Sequence, residues 1–267
     1  SRGIVRMIDV SVFLGAYPWR RLPGTSPESV LAAMDRVGIQ TAWVSHLPSL
    51  FWKDPAEGNS WLYEVADQTA RFRPVPAVHP GLPRWEKDLL EAETRGAPAV
   101  RADPGFFGLA PAGPEMLRLV EASAAYGIPL ITAVRLEDGR GRHPLDVAPE
   151  LTPWAVRAWL RHAPQARIVV THADRGFIEE VHYGSTPAEA ERVWWDLSWV
   201  WGPPEDHLAH LLATMGVARF LFGSGQPLRL PETPVARLDL LDLSPTERDM
   251  ITTGNATPLA LRRMTAA

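Results

Sequence analysis

The chain has 267 residues, 46% of them hydrophobic, which is enough to bury a large core, and its length suits one domain over residues 1–267. A formal net charge of -4 and a pI near 6.1, with no long run of like charges, exclude the basic footprint of a nucleic-acid or anionic-membrane binder and favour a small-molecule partner. The lack of cysteine excludes disulfides and thiolate zinc ligation, so a metal would have to rest on His, Asp or Glu.

The stretch from Ser1 to Asp9 carries no long apolar segment, and nowhere do about 18 apolar residues run uninterrupted, so a soluble, cytoplasmic protein is expected. Lys53 and Lys87 are the only lysines, both in polar or charged surroundings unsuited to a Schiff base, which needs an apolar environment.

Met7–Leu14 is the first of eight short, apolar, β-rich runs. Ser26-Pro27-Glu28 then starts a helix: Ser can cap, Pro fits the first turn and Glu suits the dipole. Val30, Leu31, Met34 and Val37 form its apolar stripe, and Gly38 ends it. The second run is Gln40–His46, followed by a helix over Ser60–Ala70; the third is Arg73–His79, followed by a helix over Glu86–Arg95. Pro98–Ala102 precedes a helix over Pro114–Tyr126, which Gly127 closes before Pro129–Val134. Gly139–Pro149, rich in Gly, Arg and Pro, is expected as a mobile loop before a helix over Pro153–His162. Arg167–His172 and Arg192–Trp199 are the sixth and seventh runs, with no helix expected between them. A helix over Glu205–Met215, the eighth run Arg219–Gly223, and helices over Val235–Leu241, Pro245–Thr252 and Ala256–Met264 complete the chain. Runs such as Ile168-Val169-Val170 and Phe220-Leu221-Phe222 are continuously apolar, as strands buried on both faces should be. The alternation and the length predict an α/β fold, a single (β/α)8 TIM-type barrel.

In such a barrel the active site lies at the C-terminal ends of the strands. The residues there are Asp9, Ser11 and Phe13; His46; His79; Arg101 and Asp103; Thr132 and Arg135; His172; Asp196 and Ser198; and Ser224 and Gln226. Each of His46, His79 and His172 has two readings, a proton-transfer or metal-binding group or a hydrogen-bonded wall residue. Arg101 can clamp a carboxylate or phosphate through its planar guanidinium, or pair with Asp103. Trp19 and Trp52, in loops after the first two strands, and Trp199 and Trp201, after the seventh, can line an apolar pocket. Trp194 and Trp195 face opposite ways along the seventh strand, so one of them packs between barrel and helices.

Ile8-Asp9-Val10-Ser11-Val12-Phe13-Leu14-Gly15, Val169-Val170-Thr171-His172-Ala173, Leu221-Phe222-Gly223-Ser224-Gly225-Gln226-Pro227 and Gly254-Asn255-Ala256 occur in this order. Together they resemble the amidohydrolase-related family of TIM-barrel, metal-dependent hydrolases, whose segments read Ile-Asp-x-His-x-His-x-Gly, a hydrophobic pair before x-His-x-Gly, Leu-Phe-Gly-Ser-Asp-x-Pro and Gly-Asn-Ala. The resemblance implies metal ligands from two strand 1 histidines, one histidine each on strands 5 and 6, and the strand 8 Asp, which is also the general base. At those places this chain has Ser11 and Phe13, Thr132 or Ala133, and Gly225, so only His172 remains. One ligand makes no catalytic zinc site, which takes about three protein ligands. Without a metal, water keeps a pKa of about 15.7 instead of about 7.

No cofactor is therefore expected; zinc or another divalent metal would require His46, His79 and His172, with Asp9 or Asp196, to converge on a relocated ion. The leading reading is a divergent, metal-poor or metal-free barrel that binds a small, partly apolar molecule, neutral or anionic, at the C-terminal face and, if it is catalytic, hydrolyses or decarboxylates it. Its catalytic residues would be His172 as acid/base, Arg101 as oxyanion or carboxylate anchor, and Asp9. Ser11, Phe13, Trp19, His46, Trp52, His79, Asp196, Trp199, Ser224 and Gln226 would surround the substrate. The second reading is a ligand-binding or regulatory barrel without catalysis, and the third a metal-dependent hydrolase with rearranged ligands. A homodimer is the commonest assembly for such proteins.

Overall fold

A computed structural model describes residues 7–201 and 206–261. Residue 205 of the expected helix Glu205–Met215 and residues 262–264 of the expected helix Ala256–Met264 lie outside the described residues.

The strands are β1 (Met7–Leu14), β2 (Ile39–His46), β3 (Phe72–Pro74), β4 (Val100–Arg101), β5 (Leu130–Ala133), β6 (Ile168–Thr171), β7 (Val193–Asp196) and β8 (Phe220–Leu221), each within or beside its expected run. All neighbours pair in parallel, β1-β2-β3 in one set and β4 to β8 in the other. Backbone hydrogen bonds bridge both seams. Val78 N donates to Arg101 O at 2.8 Å and Arg101 N to Pro76 O at 2.8 Å. Across the other seam, Val10 N donates to Phe222 O at 3.0 Å and Phe13 N to Gln226 O at 2.8 Å. The strands thus close on themselves as a (β/α)8 barrel. β3 is shorter than its run because Pro74 and Pro76 have no N–H to give to a ladder.

The helices are α1 (Pro27–Val37), α2 (Ala56–Asp67), α3 (Trp85–Thr94), α4 (Pro114–Ala125), α5 (Pro153–His162), α6 (Arg175–Tyr183), α7 (Pro187–Ala190), α8 (His207–Met215), α9 (Glu232–Leu240), α10 (Pro245–Asp249) and α11 (Ala256–Ala260). Ser26 caps α1 by accepting from Ser29 N, and Gly38 ends it at φ +82°. α6 and α7 were not expected, although their signals are local: Asp174 caps α6 by accepting from Phe177 N, and Thr186 with Glu189 forms a capping box on α7. The expected helix Pro245–Thr252 is α10 running into a wider π turn at Met250–Gly254.

Inside the barrel, side chains from all eight strand segments meet in one apolar cluster, with Ile8 of β1 packed against it. The eight are Val10, Trp43, Val75, Ala99, Ile131, Val169, Trp194 and Leu221. Ala256 and Leu259 of α11 join this cluster, and Arg167 at the start of β6 donates to the Pro258 and Leu259 carbonyls, so α11 closes the N-terminal end. A larger cluster fills the space between strands and helices. Trp195 lies in that outer cluster against Phe177 of α6, while Trp194 faces inward, as alternation requires.

β1 carries one extra residue between the pairs Asp9↔Ala42 and Val12↔Val44. After this bulge Val12 and Leu14 pack outward and Phe13 joins an apolar cluster at the mouth. The bulge therefore aims the first strand's end at the functional end of the barrel.

Candidate functional site

Beneath the mouth lies a polar centre sealed from solvent. Asp9, Ser11, His172, Asp196 and Ser224 are 0% exposed, Arg101 1% and Gln226 2%. Asp9 Oδ1 accepts from Ser11 N and Ser224 N, both at 3.0 Å, which ties β1 to the end of β8. Asp196 Oδ1 accepts from His172 N at 2.9 Å, and its Oδ2 accepts from Ser198 Oγ at 2.7 Å, which ties β7 to β6. Burial raises both acids, Asp9 to about 7 and Asp196 to about 6, against hydrogen bonds that favour their charged forms.

His172 sits at φ +58°, a left-handed conformation that costs a non-glycine residue about 1–2 kcal/mol and that the Asp196 bond helps to hold. Its Nδ1 lies 2.7 Å from the Arg135 carbonyl, which can only accept, so Nδ1 carries the proton and Nε2 presents a lone pair. That Nε2 is buried and has no hydrogen-bond partner among the described residues. Burial, then the charge of Arg229, lowers the imidazole pKa to about 3, so the ring is neutral.

The residues at the family's metal position do not fit a metal. A Cβ at Gly225 would lie 2.9 Å from His172 Nε2, so an acidic side chain at this position, as in the family, would not fit without displacing the imidazole. Phe13 replaces a strand 1 ligand with an apolar ring. The Arg101 guanidinium lies 4.7 Å from that ring, where it puts a fixed positive charge in the barrel core. Arg101 Nε donates to Ser45 Oγ at 2.9 Å, and its NH1 pairs with Asp103 Oδ2 at 3.3 Å. Asp103 Oδ1 also accepts from Ala133 N at 2.6 Å. Arg101 is thus engaged through Nε and NH1 in a buried network with Ser45 and Asp103.

His46 and His79 do not converge on His172, and among the described residues no three His, Asp or Glu side chains group as metal ligands. His46 Nδ1 is 2.8 Å from Ser49 Oγ, and the pair packs so tightly on α2 that a Cβ at Gly58 would overlap both. Burial lowers His46 to about 4, leaving a neutral strut. His79 stacks on Phe107 with ring centroids 4.3 Å apart and accepts from Gly81 N, and burial lowers its pKa too. These two histidines are wall residues.

Above the polar centre, Phe13, Tyr17, Leu22, Leu47, Leu50 and Leu136 form an apolar plug, with Trp19, Phe51, Phe106 and Leu228 packed on it. Outside the plug lies a cavity of about 650 Å³. Trp19, Phe51, Trp52 and Phe106 line it, with Leu145, Asp146, Val147 and Pro149 from the loop between β5 and α5. Gly105 lets this loop approach, since a Cβ there would clash with the Pro149 carbonyl. Of the expected pocket tryptophans, Trp19 and Trp52 line the cavity. Trp199 does not: it is buried, with the Arg229 guanidinium 3.7 Å from its ring centroid. Sequence reasoning missed Phe51, Phe106 and Asp146, although Phe51 adjoins Trp52 and Phe106 follows the fourth strand as Trp52 follows the second.

The family model described as amidohydrolase matches residues 53–259, a span that begins after β2 and leaves out Ser11 and Phe13. No curated protein sequence matches the chain. Among solved structures, the chain is similar to 5-carboxyvanillate decarboxylase from Sphingomonas paucimobilis, with TM-score 0.72 and 16% identity over 96% of this chain and 98% of that one. It is similar to 2,6-dihydroxybenzoate decarboxylase from Rhizobium, with TM-score 0.72 and 15% identity over 95% and 98%. A third is dihydroxybenzoic acid decarboxylase from Polaromonas sp. JS666, solved with manganese and 2-nitroresorcinol, with TM-score 0.73 and 16% identity over 95% and 96%. At these identities the likeness establishes the shared fold. The family match over most of the chain, with the closed barrel and the ordered strand-end motifs, places this chain in the amidohydrolase family.

Proposed function

We propose that this amidohydrolase-family barrel binds a small, predominantly apolar aromatic molecule in its mouth cavity, and does so without metal-activated water. The lining carries this reading: four aromatic rings surround a volume of about 650 Å³, within the roughly 300–1,000 Å³ of small-molecule sites. The groups foreseen for catalysis, His172, Arg101 and Asp9, are buried, with Phe13 against His172 and Arg101, and each is held by at least one neighbour. That several structural neighbours are named for aromatic acids supports a ring-bearing ligand.

A second reading, metal-free acid/base turnover by His172, is favoured by the lone pair on its unpartnered Nε2. It requires Phe13 and the plug to move aside.

Calorimetric titration with 2-methoxynaphthalene tests the first reading. Ring contacts are each worth about 0.5–1.5 kcal/mol, so Trp19→Ala with Trp52→Ala is expected to weaken binding about tenfold or more. Undiminished binding by that double variant would remove the cavity as the site. Carbon dioxide release from an aromatic acid, abolished by His172→Ala, would instead establish the second reading.

A further inference from the structure

The N-terminal end of the barrel, opposite the mouth, carries a separate cavity of about 270 Å³. Arg167 at the start of β6, Trp194 of β7, Arg219 in the turn before β8, and Asn255, Pro258 and Leu259 around α11 line it, and no acid is among its lining residues. We infer that this cavity binds a small carboxylate with an apolar body, held by the Arg219 guanidinium.

Arg219 is positioned and open. Asn255 Nδ2 donates to the Val217 and Phe220 carbonyls, both at 2.8 Å, and so fixes the turn that carries it. Its guanidinium carbon stands 4.8 Å from the Trp194 ring centroid, a cation–π contact between two residues that both line the cavity. Among the described residues no acceptor is hydrogen-bonded to this guanidinium, and Glu191 acts on it only from beyond ion-pair distance. None of its nitrogens is among the sealed, unpartnered polar atoms there, so they keep accessible surface. Arg167 differs, since it donates to the carbonyls of Pro258, Leu259 and Gly127. Burial lowers the Arg219 pKa, the mark of a charge that has lost water without gaining a paired acid.

The two oxygens of a carboxylate match the edge of a guanidinium and accept parallel hydrogen bonds from it. Pro258, Leu259 and the Trp194 ring offer apolar surface to the rest of the molecule. An inorganic oxyanion would leave that surface uncovered, and an ammonium would meet a like charge.

Nuclear magnetic resonance titration of ¹⁵N-labelled protein tests this, following the Trp194 indole N–H, assigned with Trp194→Phe. The probes are pentanoate, its neutral counterpart pentanamide, acetate and inorganic phosphate. Pentanoate is expected to shift that signal saturably and to bind about tenfold tighter than pentanamide, because one of its partners is charged. It should also bind about tenfold tighter than acetate, because it brings three further methylenes into apolar surroundings. Arg219→Met, which keeps an apolar stem against Trp194, should weaken pentanoate about tenfold and leave pentanamide unchanged. Arg219→Lys, which keeps the charge without the fork, should fall between. Arg229→Met, at the other end of the barrel, should change nothing. Far-UV circular dichroism establishes that each variant is folded. The inference is overturned if pentanoate leaves the Trp194 signal unmoved, if pentanamide, acetate or phosphate binds as tightly, or if Arg219→Met binds pentanoate undiminished.

Discussion

Gly225 and His172 are packed so closely that a Cβ at position 225 would stand 2.9 Å from the imidazole Nε2. The contact joins the place where the family's strand 8 acid would sit to the one family ligand that this chain retains. With φ at +72°, residue 225 is also in a conformation that favours glycine. Gly225→Asp is therefore expected to destabilise the fold by about 1–2 kcal/mol through the backbone alone, with more from the contact. Urea denaturation measures the loss. Addition of manganese should not recover it, because Phe13 and Ser11 still supply no ligand; recovery would show that the metal position is intact.

Arg101 and Asp103 make a buried pair, and loss of one partner strands the other charge. Arg101→Met is expected to cost roughly 3–5 kcal/mol in urea denaturation. Arg101→Met with Asp103→Asn should cost less than the sum of the single changes, since the amide keeps an acceptor for Ala133 N without an isolated charge. Additive costs would mean that the pair contributes nothing as a pair.

The buried titrating groups set opposing pH dependences. Asp9 and Asp196 are raised from 3.8 to about 7 and about 6, so the folded protein keeps protons that the unfolded chain has released. The stability they contribute is complete below pH 3.8 and is lost as pH rises through about 6 for Asp196 and about 7 for Asp9. His172 runs the other way: lowered from 6.5 to about 3, it contributes fully above pH 6.5 and loses that contribution as pH falls through about 3. Asp9→Asn isolates one component, since the amide mimics the protonated acid and Oδ1 can still accept from Ser11 N and Ser224 N. Between pH 4 and pH 8 the stability of this variant relative to the parent should rise, by a few kcal/mol at most on the scale of about 1.4 kcal/mol per pKa unit. A relative stability that stays constant with pH would show that Asp9 does not hold its proton in the folded state.

Gly105 sets the depth of the cavity wall. Gly105→Ala would drive a Cβ into the Pro149 carbonyl and push the loop between β5 and α5 outward. The expected result is weaker 2-methoxynaphthalene binding, since the displaced Leu145–Pro149 stretch lines the cavity, together with a modest loss in urea stability, since Leu136 and Leu151 of the same loop pack into the apolar clusters. Equal affinity in the variant would remove that loop from the site.

The barrel was legible in the residue order because its causes are local. Apolar runs such as Ile168-Val169-Val170 can bury both faces only as inner strands, and Ser26-Pro27 and Gly38 mark the ends of α1 by backbone chemistry alone. The two helices not expected, α6 and α7, carried equally local caps at Asp174 and Thr186 and could have been found the same way. The loss of the metal ligands was also visible, at Ser11, Phe13 and Gly225, because each is a change of residue type at a known place in a motif.

Which strand-end groups face an open site depends on contacts between residues far apart in the chain, and no local pattern encodes them. Arg101 reads as a free guanidinium until Ser45 and Asp103 are seen to hold its Nε and NH1 and Phe13 to lie against it. Trp199 reads as a pocket wall until Arg229 covers it. The sequence by itself determined the barrel, the family and which of the family's metal-ligand residue types are replaced, because strand burial, caps and residue type reside in single residues and short segments. Only the tertiary structure decided that the old centre is buried, with Phe13 against His172 and Arg101, and that the cavity lies above it, because burial and partnership arise from packing between strands and loops brought together by closure of the barrel.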